Sequence, residues 1–328
     1  MIVKQPMPSD LKKILPQVRE QVVLAPFTSF GIGGPARYFL VAKTATDVIA
    51  GIEAAKQSHH QFFLLGGGTN LLVSDQGFPG LVIKMELDQL AFDHARASVG
   101  SGVLLQTLID QGIERGLAGL ELMSGVGGTV GGAVRGNAGA FGQTIGGCII
   151  TVSAYVAGRT QVFTRAECQF RYRHSIFKTA QAVVLSAELE LLPGDRAALR
   201  KQADVIIQTR QARYNVNWQC AGCVFKNIDL KSTPVNQSKI MKQLDVSEAE
   251  YRKVTQYGKL PVSFITDRLG LKGQQIGGAK IADEHGAFIL NIGQATAEDV
   301  IMLMSIIKTK VRNILGIQLE PEIELVGF

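Results

Sequence analysis

The sequence has no apolar run long enough to cross a bilayer. About 18 or more consecutive apolar residues are typical of a transmembrane helix, and the 328 residues contain no such run. The first twenty residues also lack a continuous apolar stretch followed by a small-residue cleavage site, so no secretory signal is indicated. We therefore expect a cytoplasmic chain that binds no membrane.

Cysteine is scarce as well, which argues against a disulfide scaffold and a structural zinc site. The chain has four cysteines, too few for disulfide bonds to be the main stabilisation of a protein of this length. Cys220 and Cys223 have C-x-x-C spacing, but no second Cys or His pair lies nearby in the sequence to complete a tetrahedral site. We expect no metal.

No basic tract accounts for the net charge of +6. The Lys and Arg residues are dispersed and are not interleaved with aromatic residues, so the sequence does not predict nucleic-acid binding. With 46% hydrophobic and 19% charged residues, the composition is that of a globular protein. A small anionic nucleotide is a better match for the positive excess.

Acidic residues are missing from a long segment that is rich in glycine. No Asp or Glu occurs from Met123 through Ala166, and ten glycines lie between Gly125 and Gly147. Glycine reaches positive φ at little steric cost and lets backbone N–H groups approach phosphate oxygens. The segment is therefore a candidate site for a bulky anionic ligand.

A second glycine cluster lies upstream, where the apolar run Phe62–Leu65 is followed by Gly66-Gly67-Gly68-Thr69-Asn70. Glycines in one such cluster can simply make turns. Two clusters, each after an apolar segment and each containing Thr or Asn, favour a pair of phosphate-binding loops and hence a dinucleotide.

A Rossmann unit is a different route to dinucleotide binding, and Gly31 through Ala36 satisfies a relaxed G-x-G-x-x-A pattern. The preceding residues 26–30 do not form a buried-strand pattern, and the acid at the expected distance, Glu53, lies on a predicted helix. We therefore reject the Rossmann interpretation.

Periodicity and capping signals predict several elements in the first half of the chain. Residues 9–20 are weakly helical, and Thr46 is expected to cap the next helix. The apolar runs 62–65 and 81–83 are predicted to be buried strands.

In the second half, residues 157–159 are predicted to be the turn of a hairpin, and Asp195 begins a helix that runs to about Gln211. The clearest helix begins at Thr296 in a capping box and stops at Gly316, and residues 317–327 alternate like a strand.

Seven motifs taken together resemble one family, UDP-N-acetylenolpyruvoylglucosamine reductase. They are FGIGGPA at 30–36, LGGGTNLLVSDQGF at 65–78, GTVGGA at 128–133, NAGAFG at 137–142, FRYRHSIFK at 170–178, VFKN at 224–227 and LEPE at 319–322. The ordered set is far more specific than any single member. The short distance from Arg173 to Cys223 resembles the short-loop subtype, which lacks an extra segment with a substrate-clamping tyrosine.

The resemblance implies an α+β fold: a two-part FAD-binding module of the vanillyl-alcohol-oxidase class and a C-terminal α+β substrate domain. We place FAD-binding subdomain 1 at residues 1–80, with the tail 317–328 as a candidate to rejoin it. Subdomain 2 covers 81–213, and the UDP-sugar domain covers 214–316.

The same resemblance implies FAD as cofactor and NADPH as co-substrate. The positions that match the family's FAD-binding motifs lie in both glycine clusters: Gly66, Gly67, Gly68, Thr69 and Asn70 in the first, and Gly128, Thr129, Asn137, Ala138 and Gly139 in the second.

The implied reaction reduces UDP-N-acetylglucosamine enolpyruvate to UDP-N-acetylmuramate for peptidoglycan synthesis. NADPH reduces the flavin, the hydride passes to C3 of the enolpyruvyl ether, and negative charge builds at C2 and in the carboxylate. Arg173 matches the family arginine, and its guanidinium suits such a carboxylate. Glu322 matches the second glutamate of LEPE and is expected to polarise or protonate the enol.

The proton donor of most relatives is a serine, and Cys223 occupies that place here. A thiol with an unperturbed pKa of ~8.5 is a stronger acid than an alcohol, so it can deliver a proton to carbon. If Lys226 points at the sulfur, the thiolate fraction rises and the donor is lost. Cys223 can alternatively be a small buried residue, or one half of a disulfide with Cys220.

Four further residues are candidates for substrate binding: Tyr172, Lys226, Asn227 and His285. The resemblance implies that Asn227 and His285 match positions that contact the nucleotide-sugar in relatives, and we expect Lys226 to pair with a phosphate. Two other interpretations stay open, namely another FAD-dependent oxidase or dehydrogenase of the same fold class, and a non-catalytic nucleotide-binding protein. We expect a monomer whose partners are NADPH and the enolpyruvyl substrate.

Overall fold

The computed structural model describes residues 11–179, 182–212, 215 and 217–328. The chain divides into two compact units. The first unit contains Met1–Val22, Ala36–Gly67 and Phe78–Ala212, and the second contains Val23–Pro35, Gly68–Gly77 and Arg213–Phe328. The finer division into three domains stays a prediction.

Ten α-helices, three short 3-10 helices and twenty strands are assigned among the described residues. The α-helices are α1 Leu11–Ile14, α2 Ala45–Gln57, α3 Leu105–Glu114, α4 Val130–Gly136, α5 Ile145–Cys148, α6 Arg196–Gln211, α7 Gln237–Leu244, α8 Glu248–Val254, α9 Val262–Arg268 and α10 Ala297–Leu315. The strands are β1 Arg19–Val23, β2 Pro35–Ala42, β3 Phe62–Leu65, β4 Leu71–Val73, β5 Phe78–Met85, β6 Leu90–Asp93, β7 Arg96–Gly100, β8 Leu117–Ala118, β9 Gly139–Ala140, β10 Gln143–Thr144, β11 Ile149–Val156, β12 Arg159–Thr164, β13 Val183–Glu190, β14 Leu192–Pro193, β15 Ile228–Asp229, β16 Lys259–Leu260, β17 Gln275–Ile276, β18 Ala279–Ile281, β19 Ile289–Asn291 and β20 Glu324–Val326.

The first unit contains two sheets of more than two strands, besides the two-stranded pairs β9-β10 and β8-β14. One has the strand order β1-β2-β5-β3, in which β2 and β3 both run parallel to β5. The other, β12-β11-β13-β7-β6, is antiparallel throughout. Helix α2 covers the first sheet around a core that includes Leu40, Ile52 and Ile83. Helices α3 and α4 belong to the core of the second sheet.

Local signals explain the first unit's elements, with one correction. Helix α2 is capped by Thr44, not Thr46, because Thr44 and Asp47 form a reciprocal capping box. The predicted strand at Phe62–Leu65 is confirmed, although only Leu65 is fully buried, whereas residues 81–83 lie buried inside β5. The predicted hairpin joins β11 to β12 through Ala157 and Gly158, which both have positive φ.

The second unit is built around α10. Thr296 and Asp299 form a capping box at its start, and Gly316 ends it in the left-handed conformation, as the sequence predicts. The carboxylate of Asp75 also accepts the Ala297 N–H, at 2.8 and 3.1 Å. A negative charge at the N-terminal end of a helix interacts favourably with the helix dipole and so stabilises α10.

Two expectations about the chain ends were too broad. Only Leu11–Ile14 is helical within the predicted segment 9–20, where residues 9 and 10 lie outside the described part, and β1 begins at Arg19. The alternating C-terminal segment gives only Glu324–Val326 as a strand, which pairs in parallel with β4. The alternation in 317–323 instead follows burial, since Ile317, Leu319 and Ile323 lie in the core.

Candidate functional site

The first glycine cluster follows β3 directly, and its first two residues meet the second cluster. A Cβ on Gly67 would lie 2.7 Å from the Cα of Gly128, and a Cβ on Gly66 would lie 2.8 Å from Thr129 Oγ1. Real Cβ atoms do not approach so closely, and the Gly128 backbone cannot move aside, so position 67 needs glycine, whereas at position 66 the Thr129 hydroxyl would have to shift. The first unit thus brings Gly66, Gly67, Gly128 and Thr129 together.

The remaining residues of that cluster belong to the second unit. Gly68 has φ +65°, and a Cβ there would lie 1.9 Å from the carbonyl oxygen of Phe27. Its own carbonyl accepts the N–H of Ser29 at 3.0 Å. Thr69 is half-buried in the same turn. Close backbone packing therefore explains the glycine at 68.

Asn70 joins this cluster to the segment of the candidate acid Glu322. Its side-chain amide donates to the Glu322 carbonyl at 3.0 Å, and its own carbonyl accepts the Glu324 N–H at 2.9 Å. Sequence reasoning assigned Asn70 to FAD and missed this link, because the two residues are far apart in the chain.

Several amides in the second cluster already donate within the protein. Thr129 caps α4 and accepts the Gly132 N–H, the Val130 N–H donates to Val103, and the Gly131 N–H donates to Ser101. These three N–H groups stabilise the start of α4. Phosphate recognition therefore has to use other groups in the two clusters.

A half-buried lysine supplies positive charge beside the first cluster. The ammonium of Lys84, on β5, donates to the Gly66 carbonyl at 2.7 Å. Burial lowers the pKa of Lys84, and the nearby Glu86 carboxylate opposes that shift. This cation and the tightly packed backbone at Gly66 and Gly67 fit a cofactor that carries a pyrophosphate. The sequence motifs gave no signal for Lys84.

Asn137 ends α4 in the left-handed conformation, with φ +43°, and its side chain is buried. Its amide nitrogen donates to the Arg171 carbonyl at 2.9 Å, and its amide oxygen accepts the Gly146 N–H at 3.2 Å. Ala138 hydrogen-bonds back to α4 and also accepts from Ile145. Asn137 thus connects the second glycine cluster to the segment before Arg173.

Arg173 lies in a tight turn. Arg171 and His174 exchange two backbone hydrogen bonds, of 3.0 and 3.1 Å, across Tyr172 and Arg173. Arg173 has φ +53°, which is unusual for a residue other than glycine or asparagine. Its guanidinium donates to the Gly139 carbonyl at 3.3 Å and lies 5.3 Å from the centre of the Tyr172 ring. The candidate cation therefore sits against the second cluster.

Cys223 lies in the second unit, in an extended segment paired on both sides. On one side Cys223 bridges Phe288, and the Val224 N–H donates to the Ala287 carbonyl at 2.9 Å. On the other side the Glu322 N–H donates to the Val224 carbonyl, also at 2.9 Å. The candidate donor and the candidate acid therefore lie on neighbouring, paired segments.

Cys223 packs on one side against apolar side chains. Cys220, Cys223 and Trp218 pack against a small buried cluster that contains Phe288 and Leu290. None of the four cysteines is in a disulfide. Burial raises the pKa of the Cys220 thiol, although a hydrogen bond from the Gly222 backbone opposes the shift. Burial therefore favours the protonated form of the Cys220 thiol.

The ammonium of Lys226 forms an ion pair with the carboxylate of Glu320, with an N–O distance of 2.9 Å. Asn227 accepts the Val262 N–H at the start of α9 with its side-chain oxygen, at 3.1 Å. The ring of His285 packs on Phe288 with a centroid distance of 4.5 Å. All three residues lie next to the segments that carry Cys223 or Glu322.

No helix among the described residues is long and apolar enough to cross a membrane. Within the same part of the chain, no group of three or more His, Cys, Asp or Glu residues is arranged to hold a metal ion.

Comparisons with known proteins agree with this arrangement. A family model described as "FAD binding domain" matches residues 36–157, and one described as "UDP-N-acetylenolpyruvoylglucosamine reductase, C-terminal domain" matches 212–326. The UDP-N-acetylenolpyruvoylglucosamine reductase of Solibacter usitatus is 36% identical over 305 residues, which cover 93% of this chain and 95% of that protein. A Bacillus anthracis relative, UDP-N-acetylenolpyruvoylglucosamine reductase 1, is 33% identical and covers 93% of each chain.

A solved structure gives the same result. The crystal structure of UDP-N-acetylenolpyruvylglucosamine reductase from Thermus caldophilus aligns with a TM-score of 0.72 at 30% identity. The alignment covers 94% of this chain and 99% of that one. The likeness therefore extends over essentially the whole length of both proteins.

Proposed function

We propose residue roles for this chain on the premise that it belongs to the UDP-N-acetylenolpyruvoylglucosamine reductase family. The chain is an FAD-dependent oxidoreductase with an α+β fold, made of an FAD-binding module and the family's C-terminal domain. Its reaction reduces a UDP-sugar enolpyruvyl ether with a nicotinamide cofactor, for peptidoglycan synthesis. The residue roles and the preference for NADPH are the proposal.

A bound FAD would supply the chemistry of hydride transfer between the nicotinamide and C3 of the enolpyruvyl group. Residues at the two glycine clusters hold it in this proposal: Gly66, Gly67, Gly68, Thr69, Asn70, Gly128, Thr129, Asn137, Ala138 and Gly139. The packing of Gly67 on Gly128 and the charge of Lys84 support this assignment.

Arg173 binds the substrate carboxylate and stabilises the charge that develops when C3 is reduced. A guanidinium stays protonated at all relevant pH values and presents two parallel donors to a carboxylate. Donors that are fixed before the reaction stabilise such charge most effectively. The tight turn, with Tyr172 beside it, supports this role because it restricts the backbone of Arg173.

Cys223 delivers a proton to C2, and Glu322 polarises or protonates the enol. The observation that carries this assignment is the backbone pairing of their segments, in which the Glu322 N–H donates to the carbonyl of Val224, the residue next to Cys223. The ammonium of Lys226 meets Glu320, a carboxylate that offsets its charge.

Lys226, Asn227 and His285 bind the nucleotide part of the substrate. The ion pair of Lys226 with Glu320 is largely exposed, so it adds little free energy and a substrate phosphate can replace Glu320. Asn227 keeps its amide N–H donors while its oxygen holds α9. The proposal includes a cytoplasmic monomer that binds neither nucleic acid nor membrane, supported by the dispersed Lys and Arg.

An anaerobic flavin assay tests the function. The purified protein should be yellow, lose the flavin absorbance on addition of NADPH, and regain it on addition of UDP-N-acetylglucosamine enolpyruvate. Bleaching with NADH at the same rate would contradict the NADPH preference. Bleaching without recovery would favour an oxidase or dehydrogenase of other substrates, and a colourless protein that binds no added FAD would contradict the function.

A further inference from the structure

The backbone of the Arg173 turn is in a conformation that its own residue types do not favour. A turn with positive φ at its third residue usually has glycine or asparagine there, but Arg173 occupies this position with φ +53°. Such a residue keeps its conformation only where the surroundings hold it. Three nearby side chains, those of Lys178, Asn137 and Ser175, hold the turn through hydrogen bonds.

The first of these groups is Lys178, in the short 3-10 helix Ile176–Lys178. Its ammonium donates to the carbonyl oxygen of Arg173 itself, at 2.9 Å. The peptide group after Arg173 has to rotate if φ relaxes to a negative value. A charged donor on that carbonyl opposes the rotation, and hydrogen bonds from charged donors are stronger than neutral ones.

The second group is Asn137, whose amide donates to the carbonyl of Arg171 at the start of the turn, at 2.9 Å. The third is Ser175, a fully buried residue whose hydroxyl donates to the Arg135 carbonyl at 2.7 Å. Both bonds connect the flanks of the turn to α4 or its C-cap. A buried polar side chain is costly unless it is hydrogen-bonded, so these contacts are strongly maintained.

We propose that Lys178, Asn137 and Ser175 are positioning residues for Arg173: they hold the turn so that the guanidinium is oriented before the substrate carboxylate arrives. The proposal rests on the proposed role of Arg173. It also changes the expectation for Asn137, which supports the turn in addition to any contact with FAD.

Lys178 offers the cleanest test because it is only partly buried and its removal leaves the core intact. Lys178→Met keeps the length of the side chain and removes the donor, whereas Lys178→Arg retains a cation. The matched control is Lys310→Met, since Lys310 also donates to a backbone carbonyl, that of Leu269, in the other unit.

We expect Lys178→Met to lower kcat/KM for the enolpyruvyl substrate about tenfold, the effect of losing a charged hydrogen bond. Lys178→Arg should recover most of the loss, and Lys310→Met should change nothing. Reduction of the flavin by NADPH, followed alone in a stopped-flow instrument, should proceed at the rate of the unaltered protein in all three variants.

A double-mutant cycle separates positioning from direct substrate contact. If Lys178 acts through Arg173, adding Lys178→Met to Arg173→Lys should cause little further loss, because the group being positioned has already changed. Multiplying losses would overturn the proposal, as would an unchanged kcat/KM in Lys178→Met.

Asn137→Asp provides a second, independent variant. Aspartate tolerates the left-handed conformation and still accepts the Gly146 N–H, but it cannot donate to Arg171. Because Asn137 is also proposed to contact FAD, the kcat/KM of this variant is expressed per bound flavin, and on that basis it should show the same loss with the enolpyruvyl substrate as Lys178→Met. If Arg173→Lys itself leaves the substrate step unaffected, the proposed role of Arg173 fails, whatever the positioning variants show.

Discussion

The turn at Arg173 and the segment at Cys223 hold their functional side chains in different ways. The turn has one reciprocal pair of backbone hydrogen bonds and depends on the side chains of Asn137, Ser175 and Lys178. The Cys223 segment is paired through its backbone to two other segments, one of which carries Glu322.

The two regions are expected to differ in how strongly substitutions of neighbouring residues affect them. Backbone pairing does not depend on the identity of a side chain, so the Cys223 segment tolerates substitutions in its neighbours. The turn loses support whenever one of three specific side chains changes, because Arg173 does not favour its own backbone conformation. We expect functional coupling to be dense around Arg173 and sparse around Cys223.

The largest expected effect is that of Cys223→Ala. Removing a positioned proton donor lowers rates by about 10²–10⁴, and the paired backbone should leave the fold unchanged. Product formation from the enolpyruvyl substrate should fall by that factor, while reduction of the flavin by NADPH should not change. Loss of both steps together would show that the segment depends on its side chain after all.

Cys223→Ser is the companion variant, and its pH profile sharpens the role. A thiol donates only while it is protonated, so activity of the unaltered protein should fall as the pH rises through the thiol pKa, ~8.5 when unperturbed. Serine does not ionise in this range, so Cys223→Ser should keep its activity there. The same alkaline decline in both proteins would count against Cys223 as the donor.

Arg173→Lys should have the next largest effect. Lysine keeps the positive charge but loses the two parallel donors, and removing one charge-stabilising donor lowers turnover by about 10²–10³. Steady-state kinetics with the enolpyruvyl substrate measures the loss. A decrease of less than about threefold would contradict the proposed role of the Arg173 guanidinium and, with it, the positioning of that group by the turn.

Gly67→Ala tests whether FAD binding depends on the close packing of the two glycine clusters. The new Cβ would lie 2.7 Å from Gly128, and overpacking of this kind costs about 1–3 kcal/mol. FAD affinity, measured by flavin fluorescence, should fall correspondingly. Gly136→Ala is the matched control in the same unit: no atom lies within 4 Å of its added Cβ, so FAD affinity should be retained.

Asn70→Asp is expected to have the smallest effect, and it compares the two regions directly. It removes the amide donor to the Glu322 carbonyl, but the Glu322 N–H remains bonded to Val224. We expect a decrease in kcat/KM of about 2–5-fold, the size of one neutral hydrogen bond. A loss larger than that of Asn137→Asp would reverse the proposed difference between the two regions.

The elements that sequence reasoning located well have local causes. The Thr296 capping box and Gly316 define α10 because both ends are specified by residues within one turn. The error at Thr46 has a local cause too, since Asp47 reciprocates with Thr44 and not with a later residue. The short C-terminal strand was overestimated, since alternation does not show how much of a segment finds a partner.

The sequence by itself determined the family, the cofactor and the candidate residues, because its motifs are short stretches whose order and composition are specific. Tertiary structure decided what supports those residues. The bonds of Asn137 to Arg171, of Asn70 to Glu322 and of Lys84 to Gly66 join positions between 18 and 252 residues apart. Contacts between distant segments depend on how the whole chain packs, and no local pattern encodes them.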